Sequence, residues 1–334
     1  MIIPIISVIL PVYNGDRTLE ERIRAVWNQT FSDFELIIIN DGSQDNTLKV
    51  IEKIEDTRIQ VFSYPNAGQA ASRNRGIAKA KGEYIAFIDA DDLWTHDKLE
   101  AQLQALQKNP AAALAYSWTD YIDESGKLLH PGRHTTANGK VLDKLIVNNF
   151  LENGSNPLIC KHIFEKVGVF EESLPPAEDW DLWLRIAEKY EFVCVPAAQI
   201  LYRVTVNSSS SNIIKQEKQC RKVLDAAFDR ASDSLQSLKP KSFANLYKYL
   251  TWKAIEGYPS RRNGIAAARC FWYYLQYNPS VALNPRFMGS ILFKIASMVV
   301  LPPRQARAIV KAVTERVWIQ RRWVLSNRKF FAVF

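Results

Sequence analysis

Through its first 120 residues the chain alternates short β-branched apolar runs with segments of helical period, a pattern that confines it to an α/β layer architecture. Ile5–Leu10 is a run apolar at every position but Ser7, as a strand covered on both faces requires, and it stops at Pro11. Thr18, with Glu21 three residues on, predicts a capping box for a helix that buries Leu19, Ile23, Val26 and Trp27. Phe34–Ile39 reads as a second strand and Leu48, Ile51 and Ile54 mark the next helix. Ile59–Phe62 is a third strand, Gln69–Ala80 a small-residue helix and Tyr84–Ile88 a fourth strand. Thr95 then predicts the cap of a helix carrying Leu99, Leu103 and Leu106. The alternation predicts a mainly parallel, Rossmann-like sheet with right-handed crossovers, whose ligand sits at the carboxyl ends of the strands.

Past residue 120 the regularity breaks. Residues 121–157 read as irregular and able to form a mobile acceptor loop; a helix near His162–Lys166 and another over Asp179–Lys189 follow. Phe192–Val195 and Ile200–Val204 read as two short strands, and Ser208–Ser211 as a loop closing the first domain, placed at 1–212. Residues 213–334 read as helices only, a basic extension. Hydrophobic residues make up 47% and charged residues 23%, which excludes wholesale disorder. The four cysteines are scattered without a CxxC pair, which predicts buried single thiols and a reducing, cytoplasmic setting. The start lacks a basic n-region and a small-residue cleavage site, and reads as the approach to the first strand rather than a signal peptide.

Polar residues gather where the sheet should bind its ligand. Pro11-Val12-Tyr13-Asn14 follows the first strand, Asn40-Asp41-Gly42-Ser43 the second, and Asp89-Ala90-Asp91-Asp92 the fourth. A lone Asp at a strand end is ordinary turn or cap chemistry. Three carboxylates in four residues at a buried terminus are costly without a cation, and carboxylates with a diphosphate are a ligand set for Mg²⁺ or Mn²⁺. A helix cap remains an adequate account of Asp92. A third element, Glu178-Asp179-Trp180-Asp181, opens a helix with Leu182, Trp183 and Ile186 on one face. Its acids either complement the helix dipole or supply a general base.

In this order, with Asn66-x-Gly68, Arg73-Asn74 and Gly168-x-Phe170 followed by Glu171-Glu172 between, the motifs resemble the family-2 glycosyltransferases of GT-A fold over residues 5–212. The resemblance implies an inverting transfer from a nucleotide-sugar, of UDP type, to an acceptor hydroxyl in polysaccharide or glycolipid assembly. It implies nucleotide contacts from Pro11, Val12, Tyr13, Asn14, Asp41, Gly68, Arg73, Asp89 and Ala90, and a Mn²⁺ or Mg²⁺ held by Asp91 with Asp89. It makes Asp179 the general base, with Glu178 second, and puts the acceptor near Trp180 and Asn156. Two positions depart from the family pattern: Tyr202-Arg203 is followed by Val204-Thr205 rather than His, and Asn40 stands where a second Asp is common.

Other nucleotide chemistries lack their motifs. There is no G-x-G-x-x-G after the first strand and no P-loop, and Tyr13-Asn14-Gly15-Asp16 is too acidic and glycine-poor for a pyrophosphorylase loop. A catalytically degenerate sugar- or nucleotide-binding module, or a membrane-associated scaffold, is the alternative, and Asp89, Asp91 and Asp179 argue against it. The histidines, His96, His130, His134 and His162, lack metal-ligand spacing; His130 and His134 fall in the acceptor segment.

The net charge of +8 is concentrated at one end. From Arg286 onward there are ten basic residues and one acid, Glu315, so residues 1–285 sum to −1. With Phe287, Phe293, Trp318, Trp323, Phe330, Phe331 and Phe334, this end reads either as a solvated helical subdomain or as a peripheral attachment to an anionic membrane. The second suits a lipid-linked acceptor and the inner face of the cell membrane. Ile291–Leu301 is too short to span a bilayer. Nucleic-acid binding ranks last, because no nucleic-acid fold accompanies the charge.

Overall fold

The computed structural model describes residues 3–89, 91–204, 212–257 and 259–314. The chain divides into two compact units, Met1–Ser208 with Asp225–Ala231, and Ser209–Leu224 with Ser232–Phe334.

In the first unit, strands β1 (Ile6–Val12), β2 (Phe34–Asn40), β3 (Ile59–Ser63) and β4 (Tyr84–Phe87) alternate with helices α1 (Leu19–Trp27), α2 (Thr47–Ile51) and α3 (Gln69–Lys79). β5 (Leu93–Trp94), α4 (Lys98–Lys108), β6 (Ala112–Ile122), β7 (Leu128–Pro131) and α5 (Leu142–Val147) come next. β8 (Leu158–Cys160), α6 (Ile163–Val167), α7 (Glu178–Ala187) and β9 (Glu191–Arg203) follow. One sheet runs β3-β2-β1-β4-β8-β6-β9-β5, with β7 on β6. Every residue of β1 and β2 is buried, because helices cover both faces, and this is why their sequences are mainly apolar rather than alternating. The buried exceptions Ser7 and Glu35 hydrogen-bond each other at 2.6 Å, and Asn40 ends β2.

Register places the site. Val12 pairs with Asn40 and Asn40 with Ser63, so β1, β2 and β3 end level. Ile9 pairs with Phe87, which sets Asp89 beside Pro11. β8 is antiparallel to both β4 and β6, so β6 runs the same way as β4, and β9 lies parallel to β6. The ends of β6 and β9 therefore join those of β1, β2 and β4 at one edge.

Several local expectations are corrected. Thr18 is the N-cap of α1 without a side-chain cap, and Glu21 turns instead to the guanidinium groups of Arg22 and Arg203. The helix after Thr95 starts later, with Asp97 at the N-cap accepting from the Thr95 hydroxyl. Residues 121–157 are not irregular throughout: they hold the end of β6, β7 and α5. The two short strands after residue 190 are one, β9. Its ladder skips at Pro196-Ala197, since Ser117 pairs with Val195 and Trp118 with Ala198. A bulge is where a strand tolerates proline, which has no N–H to give the ladder. All four cysteines are free thiols, Cys160 half-buried and the others buried. The Ser208–Ser211 loop lies outside the described residues.

In the second unit, α8 (Ile213–Arg230), whose last residues belong to the first unit, precedes α9 (Asp233–Gln236), α10 (Lys239–Glu256), α11 (Arg261–Tyr277) and α12 (Pro285–Val300). Tyr247 of α10 stacks on Tyr273 and Tyr277 of α11, with ring centroids 4.8 and 5.8 Å apart. Ser260 and Asn284 cap α11 and α12 through their side chains.

Candidate functional site

The β1 and β2 ends build a rigid rim. Asn14 sits at φ 51, a left-handed conformation that Asn tolerates; its amide donates to Ser43 Oγ and its Oδ1 accepts from Gln44 N. Pro11 and Val12 are buried below, and Tyr13, 50% exposed, is the rim side chain open to a ligand. Asp41 is buried, and its two oxygens accept the backbone amides of Ala67 (2.9 Å) and Gly68 (2.8 Å). Arg75 Nη1 lies 3.1 Å from Asp41 Oδ1. The carboxylate thus shapes the 66–68 loop. Gly68 follows at φ 91, a conformation that favours glycine, and leads into α3.

At the β4 end the three carboxylates separate by environment. Asp92 is fully buried, accepting from Ser155 Oγ (2.5 Å) and from the Arg203 amide. Burial and its neighbours Asp91 and Asp89 push its pKa well above the ordinary value. Asp92 is therefore an internal tie. Asp89 Oδ1 accepts from Arg73 Nη2 (2.6 Å) and Gln69 Nε2 (2.7 Å), and its amide donates to Ser155 Oγ. Among the described residues no other side chain donates to the Asp91 carboxylate. Burial, then the charge of Asp89, pushes its pKa up to about 6. The Asp91 carbonyl, by contrast, is gripped twice, by Arg22 Nη2 (2.8 Å) and Arg203 Nε (3.2 Å). Ala90 lies outside the described residues.

A cation fits the pair. Asp89 is already paired with Arg73, whereas the Asp91 carboxylate has no side-chain donor among the described residues, and their hard oxygens suit Mg²⁺ or Mn²⁺. The described residues hold no group of three or more His, Cys, Asp or Glu that could bind a metal. Such an ion would therefore take its remaining oxygens from a diphosphate and water.

α7 brings the second acidic motif to the same place. Arg73, fully buried, reaches Asp89 with Nη2 and Glu178 Oε1 with Nη1 at 3.2 Å, so one guanidinium joins the end of β4 to the start of α7. Burial works against its charge, but Asp89 and Glu178 outweigh that and its pKa lies above the ordinary value. Glu178 is buried and committed to this pair. Asp179 is half-buried, and burial followed by the Glu178 charge pushes its pKa up to about 7. A carboxyl poised there suits proton transfer near neutrality.

Two acceptor candidates have other tasks. Asn156 is fully buried, accepting from Ser117 N and donating to the Ser117 and Leu151 carbonyls. It pins β6 and cannot touch a substrate. Trp180 is 7% exposed and donates from Nε1 to the Leu145 carbonyl, so its ring packs α7 on α5 rather than offering a face to a sugar. His130 and His134 stack on Tyr121 and Trp118 at the end of β6, and His134 Nε2 lies 2.7 Å from Asp120 Oδ1.

Sequence reasoning missed Arg22, Gln69 and Ser155. Gly154, beside Ser155, is enclosed as tightly: a Cβ there would lie 2.4 Å from Arg73 Nη2, a group with no room to swing away. Gly154→Ala is expected to lower stability by about 1–3 kcal/mol through overpacking. Thermal unfolding checks this, and an unchanged midpoint would show that the guanidinium is not held there.

The family model described as glycosyltransferase-like family 2 matches residues 7–254. An uncharacterised glycosyltransferase of Methanocaldococcus jannaschii is 27% identical over 302 residues, spanning 87% of this chain and 93% of that protein. One of Rickettsia bellii is 38% identical over 192 residues, 55% of this chain but 26% of the relative, so the chain matches about a quarter of that protein's length. Among solved structures, the mannosyltransferase PcManGT of Pyrobaculum calidifontis, in complex with GDP-Man and Mn²⁺, aligns with a TM-score of 0.60 at 17% identity, over 94% of this chain and 86% of that one. Residues 1–349 of S. aureus TarS with UDP-GlcNAc align at 0.56 and 15% identity, over 83% and 91%. These likenesses show the GT-A fold. With a sheet that gathers its acids at one edge and a family match over most of its length, the chain belongs to glycosyltransferase-like family 2.

Proposed function

We propose that the protein is an inverting glycosyltransferase that moves a sugar from a nucleotide-sugar, of UDP type, to an acceptor hydroxyl during polysaccharide or glycolipid assembly. The observation that carries the reading is the Asp89–Arg73–Glu178 bridge, which fixes the carboxylate pair of the donor side against the helix turn bearing Asp179. Residues 1–212 form the catalytic domain and 213–334 an extension.

Tyr13, with the rim shaped by Asn14, Asp41 and Gly68, receives the nucleoside, and Asp91 with Asp89 would hold a divalent ion. A bound Mn²⁺ or Mg²⁺ would neutralise charge on the departing diphosphate. Asp179 accepts the acceptor hydroxyl's proton as that oxygen bonds to the anomeric carbon from the face opposite the leaving group. The bond to the diphosphate oxygen breaks with its electron pair, and the configuration inverts. The nucleotide-sugars in the PcManGT and TarS complexes, and the Mn²⁺ in the former, support a nucleotide-sugar donor with a divalent ion. The acceptor is a sugar or a lipid-linked sugar, and the lipid-linked case places the enzyme peripherally at the inner face of a cell membrane.

Nucleotide release from a panel of UDP- and GDP-sugars, with Mn²⁺, Mg²⁺ or chelator, tests this directly. Metal-dependent release is expected, and Asp91→Asn should reduce it by about 10²-fold or more as diphosphate stabilisation is lost. A fully folded native chain that neither binds nor turns over any nucleotide-sugar would favour a binding module or scaffold instead.

A further inference from the structure

From Gly257 to Thr314 the sequence has eight Lys or Arg residues and no Asp or Glu. Within that stretch α12 has two unlike sides. Ile291, Ile295 and Met298 are buried on one, together with Lys294, whose Nζ donates to Thr314 Oγ1 and lies 4.9 Å from the Trp252 ring centroid. The only cation in the apolar part of the helix is thus turned inward. The other side shows Gly289, Leu292, Phe293, Ala296 and Val300, spaced by three and four residues, with Leu292 50%, Phe293 53% and Val300 75% exposed. No polar side chain interrupts that stripe. Exposed apolar residues scattered singly are normal, but a contiguous stripe reverses the ordinary sidedness of a solvated helix. After Leu301-Pro302 the helical residues 303–314 expose Arg304, Arg307 and Lys311 at positions i, i+3 and i+7, a cationic stripe following the apolar one.

We propose that this face is a docking surface for an anionic lipid bilayer. α12 lies in the plane of the interface with Leu292, Phe293 and Val300 at the acyl boundary, and Arg304, Arg307 and Lys311 meet the phosphate headgroups. Each competing occupant conflicts with an observation. No described helix is long and apolar enough to cross a membrane, so α12 lies on the bilayer rather than through it. A nucleic acid would satisfy the cations but leave Leu292 and Phe293 without a partner. A second copy docking by the same face would set Arg304 and Arg307 against their own copies. The surface is independent of the transfer chemistry, and its test does not depend on turnover.

The experiment is sedimentation of the full-length chain with vesicles of phosphatidylcholine, with and without phosphatidylglycerol, at rising salt. Strong binding to the anionic vesicles, weakening with salt, is expected. Leu292→Ser with Phe293→Ser should lower partitioning by about 30-fold, with the thermal midpoint unchanged. Arg304→Glu with Arg307→Glu should remove the preference for phosphatidylglycerol. Undiminished binding by both double variants would move the contact elsewhere in the chain and overturn the proposal, as would no binding by the native protein. A native dimer that the Leu292/Phe293 variant dissociates in light scattering, without any vesicle effect, would assign the stripe to a second copy.

Discussion

Asp179→Asn is expected to slow sugar transfer by about 10²–10⁴-fold while leaving the fold and nucleotide binding intact, because under the proposed mechanism it removes the proton acceptor but preserves shape. Asp179 is singled out by contrast with its neighbour. Glu178 is held by Arg73 and enclosed, whereas Asp179 keeps an exposed part and a pKa pushed up to about 7 by burial and the Glu178 charge. Only its deprotonated form can accept the hydroxyl proton. The sign follows: the rate climbs as pH rises through about 7 and levels off above it. The Asn variant should lose that limb.

Glu178→Gln separates the two acids. An amide oxygen can still accept from Arg73, but a negative charge beside Asp179 is gone, and that charge raises the Asp179 pKa. The pH limb should therefore move to lower pH with activity retained. Abolished transfer in Glu178→Gln, with near-native rates in Asp179→Asn, would exchange the roles. Nucleotide-release rates across pH 5–9 on the three proteins decide the matter.

The sheet and the order of its motifs were legible because burial on both faces forces runs that are apolar at nearly every position, as in Ile5–Leu10 and Phe34–Ile39. The one polar residue of each, Ser7 and Glu35, satisfies the other, and most remaining polar residues must then fall at the strand ends. Residue chemistry alone could not sort the acids; the family resemblance singled out Asp91 and Asp179. Asp91 and Asp92 are chemically identical, and only the packing of Ser155 and the Arg203 amide against Asp92 makes one internal and leaves the other open. Arg22, between Glu21 and Ile23, reads as an ordinary solvated position on an amphipathic helix. It is buried because the Asp91 carbonyl, 69 residues away, takes its guanidinium. Trp180 and Asn156 failed as acceptor contacts for the same reason: residue type advertises what a side chain could bind, whereas α5 and β6 had already taken their polar atoms. Pro196 divided β9 in the sequence because a bulge and a strand end share the same local signal.

Arg73→Met should cost about 3–5 kcal/mol of stability, the range for breaking a buried ion pair by removing one partner. The variant keeps most of the aliphatic volume but strands Asp89 and Glu178 in an environment that already leaves Glu178 Oε2 without a hydrogen-bond partner. Lysine is a poor substitute. Asp89 and Glu178 are met by two separate nitrogens of one planar fork, at 2.6 and 3.2 Å, and a single ammonium cannot reproduce both directions. Arg73→Lys should therefore fall between Met and the native residue. Phe170, with its ring centroid 5.1 Å from the Arg73 Cζ, would lose that cation contact in the Met variant. The deficit should shrink toward acid pH, where the stranded carboxyls take up protons and burying them no longer means burying charge. Denaturant unfolding of the three proteins at neutral and acid pH measures it. A Met variant with the native midpoint at neutral pH would mean that the guanidinium is not the link between the end of β4 and the start of α7.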